Sequence, residues 1–198
     1  ARIFKDDWHV WHEAKKYQID KSDFSVIIAG KKITFDVVFN TIHGTPGEDG
    51  LIQGYLQNLN IKQTAAEYYN AALTYNKRDC ISVLKAYDIP TAKNYFYNQG
   101  ENIDSEKIIN KVGLPCFVKA NRAGSSFGIT KVKKQSEIEQ AINHALKEDD
   151  EVIIESFLDG REVSVGVIDY KGKILALPVT EIISDNEFFD FEAKYYGK

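Results

Sequence analysis

The stretch FVKANRAGSSFG, residues 117–128, sets a single lysine, Lys119, near the end of an apolar run and follows it with a loop of small and polar residues. Two readings fit it. Backbone N–H groups converge on an anion only where side chains are small, as at Gly124, Ser125, Ser126 and Gly128, and Lys119 beneath them supplies a neutralising charge. A small-residue turn between two strands, however, needs no ligand to explain it. The pattern GxxxxGK[ST] is absent, and the loop leads into a strand candidate rather than a helix, which argues against a P-loop or dinucleotide fold.

Around this loop the pattern is that of short strands and helices. LPCFVKA and GITKVKK flank it as strand candidates, and Ser136-Glu137-Ile138-Glu139 reads as a capping box that opens a helix through Ile138, Ala141, Ile142 and Ala145. EVIIESF, REVSVGVID and KILALPVTEII follow as strands, with Asp169-Tyr170-Lys171-Gly172 as a hairpin turn, which predicts an antiparallel sheet backed by helices. Upstream, ITFDVVFNTIHG (Ile33 to Gly44) reads as a buried strand. Leu51, Ile52, Tyr55, Leu56 and Leu59 recur at helical spacing behind Glu48 and Asp49, acids suited to a helix N-terminus. Cys80, Val83, Leu84 and Tyr87 form a second apolar stripe; Asn76 can cap its start, and Pro90 stops it near Asp88. The fold class is therefore α/β in an N-terminal piece and α+β beyond a division near residue 75.

Composition narrows the function. The chain has 198 residues, 43% of them apolar, enough to bury a sizeable core in one large or two small domains. With 29 acidic against 25 basic residues and no basic cluster, nucleic acid is not an expected partner. Cys80 and Cys116 form no CxxC pair, which points to no structural metal and to a reducing, cytoplasmic setting. No apolar run reaches the ~18 residues of a membrane span. The chain contains no methionine, begins at Ala1 and ends in FEAKYYGK, so it reads as a fragment.

Other residues are ambiguous taken singly. In EVIIESFLDGRE, Glu155 with Phe157 and Leu158 offers an adenine-sized edge and Glu162 a partner for ribose hydroxyls, yet solvated acids on an edge strand explain the same letters. His43 and Glu48 in HGTPGEDG read either as site residues or as a loop histidine and a helix-capping acid. Lys77 and Lys194 alone read as solvated lysines.

Their order resolves these readings. HGTPGEDG, LTYNKRD, FVKANRAGSSFGI, IIESFLDGREVSVGV and FFDFEAKY together resemble the D-alanine-D-alanine ligases of the ATP-grasp group, from about Asp36 to the last residue. The resemblance implies a partial Rossmann-like (pre-ATP-grasp) N-terminal domain over 1–75, the small ATP-grasp lobe over 76–154 and the start of the large lobe over 155–198. It implies that Lys77, Lys119 and Lys194 bind ATP phosphates beneath a flexible cover, Gly124 to Gly128. Glu155, Phe157 and Leu158 would then hold adenine, and Glu162 ribose. Ser125 and Tyr195 would order the substrate site, with His43 and Glu48 near the first D-alanine. Implied too are ATP with Mg²⁺, whose ligands are expected beyond residue 198, an acylphosphate route to D-alanyl-D-alanine for peptidoglycan, and a homodimer. Ala120 and Phe191 stand where the family commonly has Pro and Tyr. Lacking the family's N-terminal glutamate loop and C-terminal metal ligands, the 198-residue chain is expected to be inactive alone. A D-alanine-D-lactate type of ligase and a noncatalytic nucleotide-binding module are the alternatives.

Overall fold

The computed structural model describes residues 1–183, and the chain separates into two compact units, Ala1–Asn76 and a second that begins at Lys77. The first unit opens with an antiparallel meander of strands β1 (Arg2–Phe4), β2 (Asp7–His12), β3 (Lys15–Asp20), β4 (Ser25–Ile28) and β5 (Lys31–Ile33), paired in chain order. Alternation builds its apolar face: Trp8 and Val10, Tyr17 and Ile19, Val26 and Ile28 point the same way. Two of the turns are two residues long with both φ angles positive, Glu13 (49°) and Ala14 (60°), and Ala29 (49°) and Gly30 (75°), the backbone twist that hairpins prefer.

Helix α1 (Leu51–Asn58) covers that face. Its Ile52 and Leu56 are buried with Val10, Ile19, Phe24 and Val26, while Trp8 stands edge-on to Tyr55 at 5.1 Å between ring centroids. The helix lies between two short parallel strands, β6 (Val37–Val38) and β7 (Lys62–Gln63), and α2 (Tyr68–Tyr75) closes the unit. This crossover is the α/β element expected from the sequence, reduced to its minimum. The long buried strand expected over Ile33–Gly44 is not formed. Asn40 breaks it: its side-chain oxygen accepts from the Ile42 N–H at 3.0 Å and its amide donates to the Gly47 carbonyl at 2.9 Å, turning the backbone away from a ladder. Val37 and Phe39 are left exposed.

The second unit starts with α3 (Lys77–Ala86), which ends before Pro90 as expected. It continues through β8 (Asn94–Asn98), α4 (Ser105–Val112), β9 (Cys116–Ala120), β10 (Thr130–Val132), α5 (Ile138–Ala145) and β11 (Glu151–Ser156). The sheet is antiparallel throughout, in the order β10-β9-β11-β8. On one face Tyr97, Cys116, Val118, Val132, Val152 and Ile154 pack against Ile108 and Val112 of α4 and Ile138, Ala141, Ile142 and Ala145 of α5. Burial pushes the Cys116 thiol up to about 11, so it serves as a packing group and not as a nucleophile. The acid that closes the start of α5 is Glu137, whose carboxylate accepts from the Lys133 and Lys134 N–H groups at 2.8 and 3.2 Å.

Beyond β11 the chain forms two exposed ribbons, β12 (Val163–Ser164) with β15 (Thr180–Glu181) and β13 (Val167–Tyr170) with β14 (Lys173–Ala176). The expected hairpin turn is present, with Lys171 and Gly172 at φ 53° and 75°. The ribbons are separate from the four-stranded sheet, where the sequence had suggested one continuous sheet.

Ile142 is fully buried among α5, β9 and β10, so truncation leaves a cavity there. Ile142→Ala is expected to cost about 2–5 kcal/mol, read as a lowered urea midpoint by circular dichroism; an unchanged midpoint would contradict this packing.

Candidate functional site

The face of the four-stranded sheet opposite α4 and α5 is built by alternation. It carries Phe117 and Lys119 from β9, Lys131 from β10, Ile153 and Glu155 from β11, and Asn94, Phe96 and Asn98 from β8. Helix α3 covers the β8 side. The Arg78 guanidinium lies 5.1 Å from the centre of the Phe96 ring and donates to Asn98 Oδ1 at 3.1 Å, and Lys85 Nζ donates to Asn94 Oδ1 at 3.1 Å. Polar groups gather on the β9 side, at the first turn of α3.

Two lysines meet there. Lys119 Nζ donates to Glu155 Oε2 at 2.8 Å, and Lys77 Nζ donates to the Asn121 and Ala123 carbonyls at 3.1 and 2.7 Å. Burial, reinforced by the charge of Lys119, pulls the Lys77 ammonium below the ordinary lysine value, with Glu155 and Asp149 opposing the shift. Two cations in one half-buried place with a single adjacent carboxylate make a site that favours a multiply charged anion.

Asn121 fixes this geometry. It is buried; its Oδ1 accepts from the Arg78 N–H at 2.8 Å, so it helps cap α3, and its Nδ2 donates to Glu151 Oε2 at 2.6 Å. Its backbone N–H donates to the Glu151 carbonyl at 2.9 Å. The next residue clamps the loop stem. Arg122 donates from Nε and Nη2 to Asp149 at 3.1 and 2.7 Å, and its backbone N–H reaches the same carboxylate at 2.6 Å. Burial acts to raise the Asp149 carboxyl, but these bonds hold it below the usual carboxylate range.

The loop then turns in a left-handed sense. Ser125 and Ser126 have φ 50° and 62°, and the Phe127 N–H closes the turn on the Gly124 carbonyl at 3.0 Å. Left-handed geometry costs roughly 1–2 kcal/mol for a residue with a Cβ, and strain of this kind collects where a loop must present its backbone to something. Gly128, at φ 65°, is tightly surrounded: a Cβ there would lie 3.0 Å from Glu148 Cγ and 3.4 Å from Ala120 Cβ.

Among the residues expected from the sequence, Lys77, Lys119 and Glu155 are brought together, at the base of the Gly124–Gly128 loop. Phe157 lies beside Phe117, ring centroids 6.1 Å apart. Leu158 and Glu162 are exposed beyond it. In the first unit His43 is exposed, and Glu48 accepts from the Gly44 N–H at 2.6 Å, which ties its loop together. Lys194 and Tyr195 lie outside the described residues. The sequence reading missed Asn121, Arg78, Glu151 and the Arg122–Asp149 pair. No periodic signal marks Asn121, which is buried although it falls out of step with Cys116, Val118 and Ala120.

Comparison with known proteins gives a consistent result. A family profile described as D-ala D-ala ligase C-terminus matches residues 83–198. The D-alanine-D-alanine ligase of Christiangramia forsetii is 64% identical over 100% of this chain and 61% of its own length, and that of Flavobacterium johnsoniae is 60% identical over 99% and 61%. The chain thus spans about three fifths of the curated relatives it matches. Among solved structures, D-alanyl-alanine synthetase A from Vibrio cholerae superimposes with a TM-score of 0.78 at 28% identity, covering 86% of this chain and 52% of that one. The VanG D-Ala:D-Ser ligase of Enterococcus faecalis gives 0.77 at 30%, covering 92% and 55%.

Because its folded pKa lies below the unfolded 10.5, Lys77 sheds its proton earlier in the folded chain, so its contribution to stability rises with pH through that folded pKa up to the unfolded value. Lys119→Met removes a like charge and leaves Glu155 without its lysine, so Lys77 is expected to move up toward 10.5. Titration followed by the lysine ¹³Cε shifts checks this, and an unmoved Lys77 would show that the two ammoniums share no field.

Proposed function

The chain belongs to the D-alanine-D-alanine ligase family, and from that membership we propose that it carries the ATP-phosphate site of an enzyme joining two D-alanines, with release of ADP and phosphate. The observation that supports this most directly is the convergence of Lys77 and Lys119 under the Gly124–Gly128 loop. Each ammonium is held by an internal oxygen in the place a phosphate oxygen would take.

In this reading ATP supplies the leaving phosphate that activates one D-alanine carboxylate as an acylphosphate, which the amine of the second then attacks. The chain's own residues do the rest. Lys77 and Lys119 neutralise charge on the polyphosphate, and their fixed stems hold it in line rather than merely near. The loop, with Ser125 and Ser126 in a left-handed turn, closes over it and keeps out the water that would hydrolyse the activated carboxylate. Phe117 and Phe157 form an apolar wall suited to a base, beside Glu155. We assign the ATP phosphates also to Lys194, ribose to Glu162 and the substrate end to His43, Glu48, Ser125 and Tyr195.

Among the described residues no group of three or more His, Cys, Asp or Glu side chains could hold a metal ion. From the family resemblance, Mg²⁺ is assigned to ligands beyond residue 198. The same proposal places the enzyme in the cytoplasm, as a homodimer making peptidoglycan precursors. No helix among the described residues is long and apolar enough to cross a membrane.

In the protein that carries this chain, Lys119→Ala is expected to lower D-alanine-stimulated phosphate release by at least about 100-fold, the scale for loss of a transition-state charge partner, with an unchanged circular dichroism spectrum. Offering D-alanine, D-serine and D-lactate as acceptors in the same assay ranks the dipeptide reading against its alternatives. Turnover of the variant near that of the unaltered protein would remove Lys119 from the phosphate site.

A further inference from the structure

The sheet face opposite α4 and α5 holds a third lysine that neither the sequence reading nor the family resemblance singled out. Lys131, on β10, pairs across the ladder with Phe117 of β9, and Phe117 in turn pairs with Glu155 of β11. The three side chains form one row across the strands, pointing to the same side. The Lys131 ammonium lies 4.6 Å from the centre of the Phe157 ring, while that of Lys119 lies 5.4 Å from the centre of Phe117. The aromatic pair is therefore bracketed by two cations.

The brackets are not equivalent. Lys119 is two residues further along β9 than Phe117, about 7 Å nearer the Gly124–Gly128 loop, and it shares its surroundings with Lys77. Lys131 stands one strand across from Phe117 and belongs to the aromatic end. We propose that Lys131 is a base-recognition residue of the nucleotide site, its ammonium donating to an acceptor nitrogen of a heteroaromatic base laid against Phe117 and Phe157. This rests on the nucleotide reading given above. An ammonium has donors only, so it suits the lone pairs of ring nitrogens and not an exocyclic amino group.

The test separates base from phosphate. Lys131→Met keeps most of the stem and removes the charge, and Lys131→Gln is a second form should the first fold poorly. Calorimetry on the protein carrying this chain would use ATP and inorganic tripolyphosphate as probes, alongside steady-state kinetics. Expected for Lys131→Met are an about tenfold weaker ATP affinity, tripolyphosphate binding within about twofold, and a raised KM for ATP with kcat kept. Equal weakening of both probes would make Lys131 a general electrostatic contributor, and an unchanged ATP affinity would remove it from the site; either result overturns the proposal while the nucleotide reading stands. Failure of the unaltered protein to bind either probe would overturn both.

Discussion

Everything at the site depends on the side chain of Asn121 being buried and fully engaged. One amide group joins three elements: it accepts from the first turn of α3, donates to Glu151 on β11, and sits where β9 ends and the loop begins. A buried amide that loses a partner costs roughly 1–3 kcal/mol, so these elements are fixed relative to one another by a penalty and not only by packing. Lys77 inherits its position from this arrangement, since it is the first residue of α3 and its ammonium reaches the Asn121 carbonyl. Lys119 inherits its own from the same strand.

The rest of the second unit serves that geometry from behind. The α4 and α5 face of the sheet is close-packed and apolar, which leaves the opposite face free to carry charge without losing the core. Strand alternation then does the sorting. Val118 and Ala120 go inward while Phe117 and Lys119 go outward, so one strand supplies both the core and the chemistry. The loop stem is held by the Arg122–Asp149 clamp, and the left-handed turn at Ser125 and Ser126 lies beyond it.

Much of this was legible in the sequence where period and chemistry agree. The α5 stripe of Ile138, Ala141, Ile142 and Ala145, the β9 and β11 runs, and the Lys171-Gly172 turn all follow from local pattern. The N-terminal meander was not read, although Trp8 and Val10, Tyr17 and Ile19 alternate cleanly. Its turn at Glu13-Ala14 adopts left-handed angles without the Gly or Asn that usually announces them. The expected Ile33–Gly44 strand failed for the opposite reason: its composition was right, but the Asn40 side chain competes for the backbone. Asn121 was missed because a hydrogen-bonding role between distant segments leaves no periodic trace. The joining of Lys77 to Lys119 was legible only through the ordered set of motifs, since each lysine taken singly is an ordinary surface residue.

The self-pairing of the site also sets which anions can enter it. With Lys119 on Glu155 and Lys77 on two carbonyls, each cation already has an oxygen partner, and an incoming group must replace it. A small anion such as free phosphate gains one such exchange and gives up its hydration for it. A chain of linked phosphates makes both exchanges while losing its translational freedom once. On the proposed reading, the internal oxygens therefore favour a linked polyphosphate, which replaces both at once, over a lone phosphate, which replaces one.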